Sequence, residues 1–304
     1  MNKFIVTTTI QHPTKATLMY LEKKDWCLIV VGDKKTPHEV YDGIRDLIYL
    51  HPDYQEEHYK ELSDAIGWNC IMRRNIGFIE AYRRGADIIA SIDDDNIPYA
   101  NWGEDIRLGK QTVSMYSNPM GILDPLKLTN HPELWHRGYP LDMVFTSGFI
   151  DYIGKETRNI LFQANLWDGD PDVDATCRFI YQPRNLKLKI TEPFSTNNFV
   201  PFNSQNTFIA RDAIPFYMML PHVGRMDDIW GGYIAQYQLD TRPLFMPATT
   251  YQKRNEQSIY KNYNDEVFGV NNTSKLLDDI RNFSNYLPDR TLAAYYLYRE
   301  EYNK

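Results

Sequence analysis

Two short apolar runs near the N-terminus restrict the fold more than any other feature of the chain. Phe4–Ile10 is apolar and threonine-rich, as a buried strand is, and Trp26–Val31 is a second apolar run that stops at Gly32-Asp33. Between them, Thr14 is placed to cap a helix reaching to about Lys24, with apolar positions at Ala16, Leu18, Met19 and Leu21. Strand, helix and strand within about 30 residues form a βαβ unit, and such units build parallel sheets.

The pattern continues with a polar helix expected from His38 to about Leu50, a second helix over Tyr54–Ile66 and a third from Asn75 to Gly85. The third carries Ile76, Ile79, Ala81 and Tyr82 on one side, and Gly85 stands where a helix C-terminus favours a residue without a Cβ. Asp87–Ile92 is the next strand, with Asp93-Asp94-Asp95 at its carboxyl end, the edge where open α/β sheets bind ligands. Residues 101–184 show short segments and many turn residues. Thr207–Arg211 is expected as a strand, Asp227–Gln238 as an aromatic-rich helix, and Ser274 to the end as an amphipathic helical tail. Without repeats or linkers, residues 1–272 read as one α/β domain and 273–304 as its helical extension.

Composition excludes some classes. The chain has 304 residues, a net charge of −7 and no clustered basic face, which argues against broad nucleic-acid binding. Its three cysteines, Cys27, Cys70 and Cys177, lack metal-ligand spacing, so neither a disulfide framework nor a zinc site is expected, and a reducing compartment fits. No apolar segment approaches the roughly 20 residues a bilayer requires. The start reads as a strand, so the expectation is a soluble cytoplasmic protein without a signal peptide. Aromatic residues make up 14% of the chain, with 22 Tyr, and such residues either line sugar and base sites or pack a half-wet core.

The acidic run is the first chemical signal. Three adjacent carboxylates repel one another and are costly to bury, so Asp93-Asp94-Asp95 is either a solvated turn or a cation site. Mg²⁺ and Mn²⁺ take hard oxygen ligands and bridge carboxylates to diphosphates. The preceding apolar strand, and the helix opened by Arg73-Arg74-Asn75, favour the site. Arg74 beside a helix start suits a phosphate, while Asn75 suits a simple cap. Asp33 is a strand-end nucleoside contact or a turn residue, and Lys34 and Lys35 are phosphate contacts or a solvated loop. Arg137, in a loop punctuated by Gly138 and Pro140, is a surface charge or a diphosphate clamp. Asp227-Asp228 at a helix start is either dipole-stabilised or a candidate general base. Trp230, two residues on, walls a sugar site or packs. Asp168, Asp170, Asp172 and Asp174 alternate like a calcium loop but lack its glycine and closing glutamate, so Trp167-Asp168 reads as a substrate-side loop or an acidic turn.

Several blocks together resemble the STELLO-type glycosyltransferases: Val30-Val31-Gly32-Asp33-Lys34-Lys35-Thr36-Pro37, Arg74-Asn75-Ile76-Gly77-Phe78, the triple Asp with Asn96, and Trp135-His136-Arg137-Gly138-Tyr139-Pro140-Leu141. The chain is also similar to the reversibly glycosylated polypeptides, the plant UDP-arabinopyranose mutases, through the triple Asp, the Arg-Gly-Tyr-Pro block, Asn165-Leu166-Trp167 with Pro171-Asp172-Val173-Asp174, and Gly224-Arg225-Met226-Asp227-Asp228-Ile229-Trp230-Gly231-Gly232. The blocks keep their order from about residue 4 to 270.

The resemblance implies a GT-A fold, a Rossmann-like α/β domain with a mixed, mostly parallel sheet and an Asp-x-Asp metal site. It implies that Asp93 and Asp95 serve Mn²⁺ or Mg²⁺, with Asp94 beside the nucleotide-sugar. Thr7, Thr8 and Thr9 would border uracil and ribose. Lys253 and Arg254, in the Gln252-Lys253-Arg254-Asn255 run, would neutralise the diphosphate. Arg137 would serve sugar transfer, with Asp228 as base beside Asp227. Two positions depart from the mutase pattern: Val144 replaces a second arginine, and no histidine stands near Gln252. The implied activity is transfer of a sugar, such as the pentose arabinose, from a UDP-sugar to a hydroxyl of a glycan, a small molecule or a hydroxymethylated base of phage DNA. UDP-sugar ring interconversion and a catalytically silent binding subunit are the alternatives.

Overall fold

A computed structural model of the chain describes residues 1–146, 148–253 and 258–304. Its first half is built on the expected βαβ unit. Strands β1 (Lys3–Thr9), β2 (Cys27–Gly32), β3 (Leu47–Leu50) and β4 (Ile88–Ile92) are all parallel, in the order β3-β2-β1-β4. Successive residues of a strand point to opposite faces, so each strand serves two cores. Ile5, Leu28, Val30 and Ala90 join one cluster with Ala16 and Tyr20 of helix α1 (Lys15–Leu21). Val6, Ile29, Val31 and Ile89 join the other, which also takes in the helices that follow. Thr14 caps α1 as expected, its hydroxyl accepting from the Thr17 amide at 3.1 Å.

The polar helix expected from His38 to Leu50 is only α2 (Glu39–Asp42). Gly43 ends it, Asp46 takes a positive φ of 63°, and Leu47-Ile48-Tyr49-Leu50 pairs with β2 as the edge strand. Burying that apolar run against β2 outweighs its weak helical pattern. The expected helix over Tyr54–Ile66 breaks at Tyr59 (φ −137°) into α3 (Pro52–His58) and α4 (Lys60–Ile66). Helix α5 (Arg74–Arg83) packs so tightly on the sheet that a Cβ on Gly77 would lie 2.4 Å from Val6 Cγ1.

The second half of the sheet was much less apparent in the sequence. It adds β5 (Asn96–Pro98), β6 (Gly109–Ser117), β7 (Asp151–Ile160), β8 (Phe162–Gly169), β9 (Phe194–Thr196), β10 (Asn206–Ala210) and β11 (Leu244–Gln252). The 11-stranded sheet continues from β4 as β10-β8-β11-β9-β6-β7, with β5 paired to β11. Strands β7, β8 and β11 keep the direction of the first four, and β5, β6, β9 and β10 oppose it. The result is the expected mixed, mostly parallel sheet flanked by helices.

Helix α6 (Ala175–Tyr181) and the long α8 (Ile259–Asp278) pack together over this half. Helix α7 (Asp227–Leu239) is buried on every side over its first ten residues, Asp227–Gln236. The last helix, α9 (Asp289–Glu300), packs on α4 of the first half, and its Tyr298 donates to the Ile214 and Tyr217 carbonyls at 3.0 and 2.9 Å. Since α8 runs through position 272, the elements on either side of that position share one helix. None of the three cysteines is paired, and among the described residues no helix is long and apolar enough to cross a membrane.

Candidate active site

The carboxyl ends of β1, β2 and β4 open onto a cleft of about 250 Å³, walled by Thr8, Thr9, Ile10, Asp33, Asn69, Cys70, Ile71, Arg74 and the three aspartates. Asp33 is buried there, and its carboxylate accepts from the amides of Lys34 (2.6 Å), Asn69 (2.8 Å) and Cys70 (3.2 Å). It thereby ties the loop before α5 to the end of β2. Thr9 donates to Asp94 Oδ2 and Thr14 to the Asp94 carbonyl, each at 2.5 Å, so Asp94 turns toward the start of α1. Burial pushes the Asp94 carboxyl up, partly offset by the Thr9 hydroxyl.

Asp93 and Asp95 also face a second chamber of about 420 Å³, which shares Cys70 and Ile71 with the first cleft. Its other walls come from far along the chain: Arg137, Asp172, Ser204, Gln205, Arg225, Asp227, Asp228, Gln252 and Asp265. One buried polar network joins the two spaces. Arg74 donates to Asp93 Oδ1 at 2.6 Å and to the Ser204 carbonyl and hydroxyl at 3.2 Å. Ser204 donates its amide and hydroxyl to Asp228 Oδ2, at 2.9 and 3.0 Å. Asp228 Oδ1 accepts from Arg137 at 3.1 Å, and Arg137 holds Asp172 in a two-pronged pair at 2.7 and 2.8 Å. Arg137 also donates to the Arg225 carbonyl. A close approach fixes that last segment: Gly224 has φ +65°, and a Cβ there would lie 1.9 Å from the Asp265 carbonyl oxygen.

The network separates the two helix-start aspartates. Burial works against ionising Asp228, but Arg137 and the Ser204 donors outweigh it and hold its carboxyl below the usual range. The same arginine holds Asp172 well below that range. Asp227 lies 3.7 Å from the Arg137 guanidinium, and burial with the adjacent Asp228 charge pushes it up to about 8. One of the pair is therefore a fixed anion and the other a group of high proton affinity.

A divalent cation would find Asp93 and Asp95 between the two spaces. Among the described residues no three His, Cys, Asp or Glu side chains gather into a metal cage. Two carboxylates suit the mode in which Mg²⁺ is held by one or two protein oxygens and completed by substrate phosphates and water. The donor set therefore fits a cation that arrives with a diphosphate, and does not fit a closed structural site.

Several expected site residues are employed elsewhere. Asn75 exchanges two hydrogen bonds with the Met219 backbone, at 2.7 and 2.9 Å. Trp230 is fully buried, donates to Thr273 at 3.0 Å and packs on Phe268, so it belongs to the core. Trp167 donates to the Asp170 carbonyl, and Asp168 accepts from Tyr99 and from the Leu188 amide, so both brace their own loop. Thr7 is buried within β1 behind the cleft wall, and Lys35 is exposed outside it. Lys253 gives its amide to the Asp95 carbonyl at 3.1 Å while its residue is exposed, and Arg254 lies outside the described residues. Arg137 faces the chamber, but Asp172, Asp228 and a carbonyl engage its nitrogens, so it braces the acids instead of clamping a phosphate. Conversely, Ser204, Gln205 and Arg225 were not singled out. Arg225 stood inside a recognised block, whereas Ser204 and Gln205 carry no local pattern that marks them.

No family model matches the chain. It is 25% identical over 256 residues to the probable glycosyltransferase STELLO2 of Arabidopsis thaliana, covering 77% of this chain and 33% of that protein. It is 24% identical over 254 residues to the probable glycosyltransferase STELLO1 of the same plant, with the same coverage. Among solved structures, A197 from STIV aligns over 84% of this chain and 87% of its own, at 10% identity and a TM-score of 0.34. The chain thus spans about a third of the length of the two curated relatives. The STELLO-type resemblance carried by the sequence blocks accordingly extends over 77% of this chain.

Proposed function

We propose that the chain is a glycosyltransferase that moves a sugar from a UDP-sugar to an acceptor hydroxyl. The observation that carries this reading is the buried network running from Asp93 through Arg74, Ser204 and Asp228 to Arg137, which gives the strand-end cleft and an acidic chamber one common frame. In this reading, Asp33 and the Thr8–Thr9 segment border the nucleoside. Asp93 and Asp95 would hold Mn²⁺ or Mg²⁺, which when bound offsets the charge developing on the departing diphosphate.

The base role goes to Asp227, not to Asp228, because both oxygens of Asp228 are already taken and its carboxyl is held ionised. Asp227 accepts the proton of the acceptor hydroxyl. The freed oxygen bonds to the sugar's anomeric carbon as the bond from that carbon to the diphosphate breaks, and UDP leaves with the electron pair. Asp228, Arg137 and Asp172 keep that carboxyl oriented. Interconversion of UDP-sugar ring forms has less support, because Val144, where the mutase pattern has its second arginine, is a buried apolar residue. The test is a panel of UDP-sugars assayed for Mn²⁺-dependent UDP release with and without acceptor pools. Release that no acceptor stimulates, together with ring-form exchange of a UDP-pentose, would overturn the transferase reading.

A further inference from the structure

Asp93 and Asp95 stand between the two spaces, so the chamber beyond them meets whatever group a bound diphosphate carries. Gln205 and Gln252 face that chamber and are 6% and 5% exposed. Among the described residues, Gln205 Nε2 and Gln252 Oε1 each find no hydrogen-bond partner, and both atoms are buried. Leaving such a group unmet is costly, and native proteins rarely do so without a use.

Both residues are held in place through their backbones. The Gln205 amide donates to Asn203 Oδ1 at 3.3 Å, and its carbonyl accepts from Asn96 Nδ2 at 2.8 Å. Gln252 pairs with Asn96 across β11 and β5. Two residues that line one space on fixed backbones therefore carry one unmet donor and one unmet acceptor. A hydroxyl donates and accepts at once, so it satisfies either amide in either orientation. A carboxylate only accepts, and it would also meet Asp95 and Asp265 in the same walls, where Arg137 and Arg225 are already paired with Asp172, Asp228 and Glu266.

We propose that Gln205 and Gln252 are specificity-determining residues that bind hydroxyls of an uncharged sugar on the donor, and that the chamber excludes uronic acids. The inference rests on the UDP-sugar reading above. Its test is equilibrium binding, with Mn²⁺ present, of UDP, UDP-glucose, UDP-xylose and UDP-glucuronate to the wild-type chain and to the near-isosteric variants Gln205→Met and Gln252→Met. UDP binding doubles as the check that each variant folds.

The wild type is expected to bind at least one neutral UDP-sugar at least tenfold more tightly than UDP-glucuronate. Each variant is expected to lose about tenfold toward that sugar, the equivalent of one neutral hydrogen bond, with UDP affinity within about twofold of wild type. Equal losses toward UDP and UDP-sugar, no loss at all, or preferred binding of UDP-glucuronate would overturn the inference while leaving the transferase reading intact. Failure of the wild type to bind any uridine nucleotide would take down both.

Discussion

The two halves of the sheet bring residues to the site in different ways. In the half made by β3, β2, β1 and β4, the last three strands end at the cleft and hand the chain to a loop or helix, so Thr8, Asp33 and Asp93 reach it from the ends of neighbouring strands. In the half beyond β4, strands run in both directions, and the chamber is assembled from residues as far apart as Arg137, Ser204, Asp228 and Gln252. The first arrangement follows from local chain geometry. The second exists only because long-range ion pairs hold it, with Arg137 and Asp228 separated by 91 residues. Substitutions in the two halves should therefore fail differently.

The sharpest expected split is between binding and folding. Asp95→Ala should lower Mn²⁺-dependent transfer by about a thousandfold, the scale of losing a charge-stabilising group at a departing diphosphate. Its melting temperature should stay within a few degrees of wild type, because one acidic charge is removed from a partly exposed turn. A large loss of stability together with retained activity would remove Asp95 from the metal role.

Arg137→Met should do the reverse. It removes the partner of two buried carboxylates, Asp172 and Asp228, and breaking a buried ion pair on one side costs about 3–5 kcal/mol. Denaturant unfolding would measure this. Replacing Asp172 by Asn in the same background should recover part of the loss, since one uncompensated charge disappears. Additive losses in that double variant would break the idea that the chamber is held by its ion pairs.

How far each half could be read in advance follows the same division. Strands β1, β2 and β4 and helix α1 are visible because burial on both faces leaves unbroken apolar runs, and because Thr14 caps by a local rule. The exposed edge strand β7, Asp151–Ile160, carries lysine, glutamate and arginine and reads as loop. Asp93 and Asp95 announce themselves by adjacency. The division of labour between Asp227 and Asp228 does not, because it is set by Arg137 and Ser204, each distant in sequence. Trp230 stays open between sugar wall and core in the sequence for the same reason: whether an aromatic on a helix lines a site or a core depends on what lies opposite, here Thr273 and Phe268 of α8.

Asp227 gives an effect that depends on pH. Its carboxyl is raised in the folded chain to about 8, against an ordinary value near 3.8. Between those values the folded state holds the extra proton, so the Asp227 contribution to stability falls as pH rises from about 4 through 8. Asp227→Asn keeps the shape and removes that slope. The variant should melt within about a degree of wild type near pH 4 and increasingly above it as pH rises to 9. It should also lose the rise in transfer rate that wild type is expected to show as Asp227 deprotonates near pH 8. Parallel melting curves at both pH values would return the base role to Asp228.

The smallest effect is expected at a position the sequence made attractive. Lys35 follows Asp33 in a recognised block, yet it is exposed and outside the cleft wall. An exposed lysine outside the wall contributes to a bound diphosphate only through screened charge, which is weak at physiological salt. Lys35→Ala should therefore leave the affinity for a UDP-sugar within about twofold and unfolding free energy within about 0.5 kcal/mol. A tenfold loss that vanishes at high salt would mean that the loop after β2 closes over the nucleotide. The first half of the sheet would then share with the second a dependence on contacts that its own chain geometry does not set.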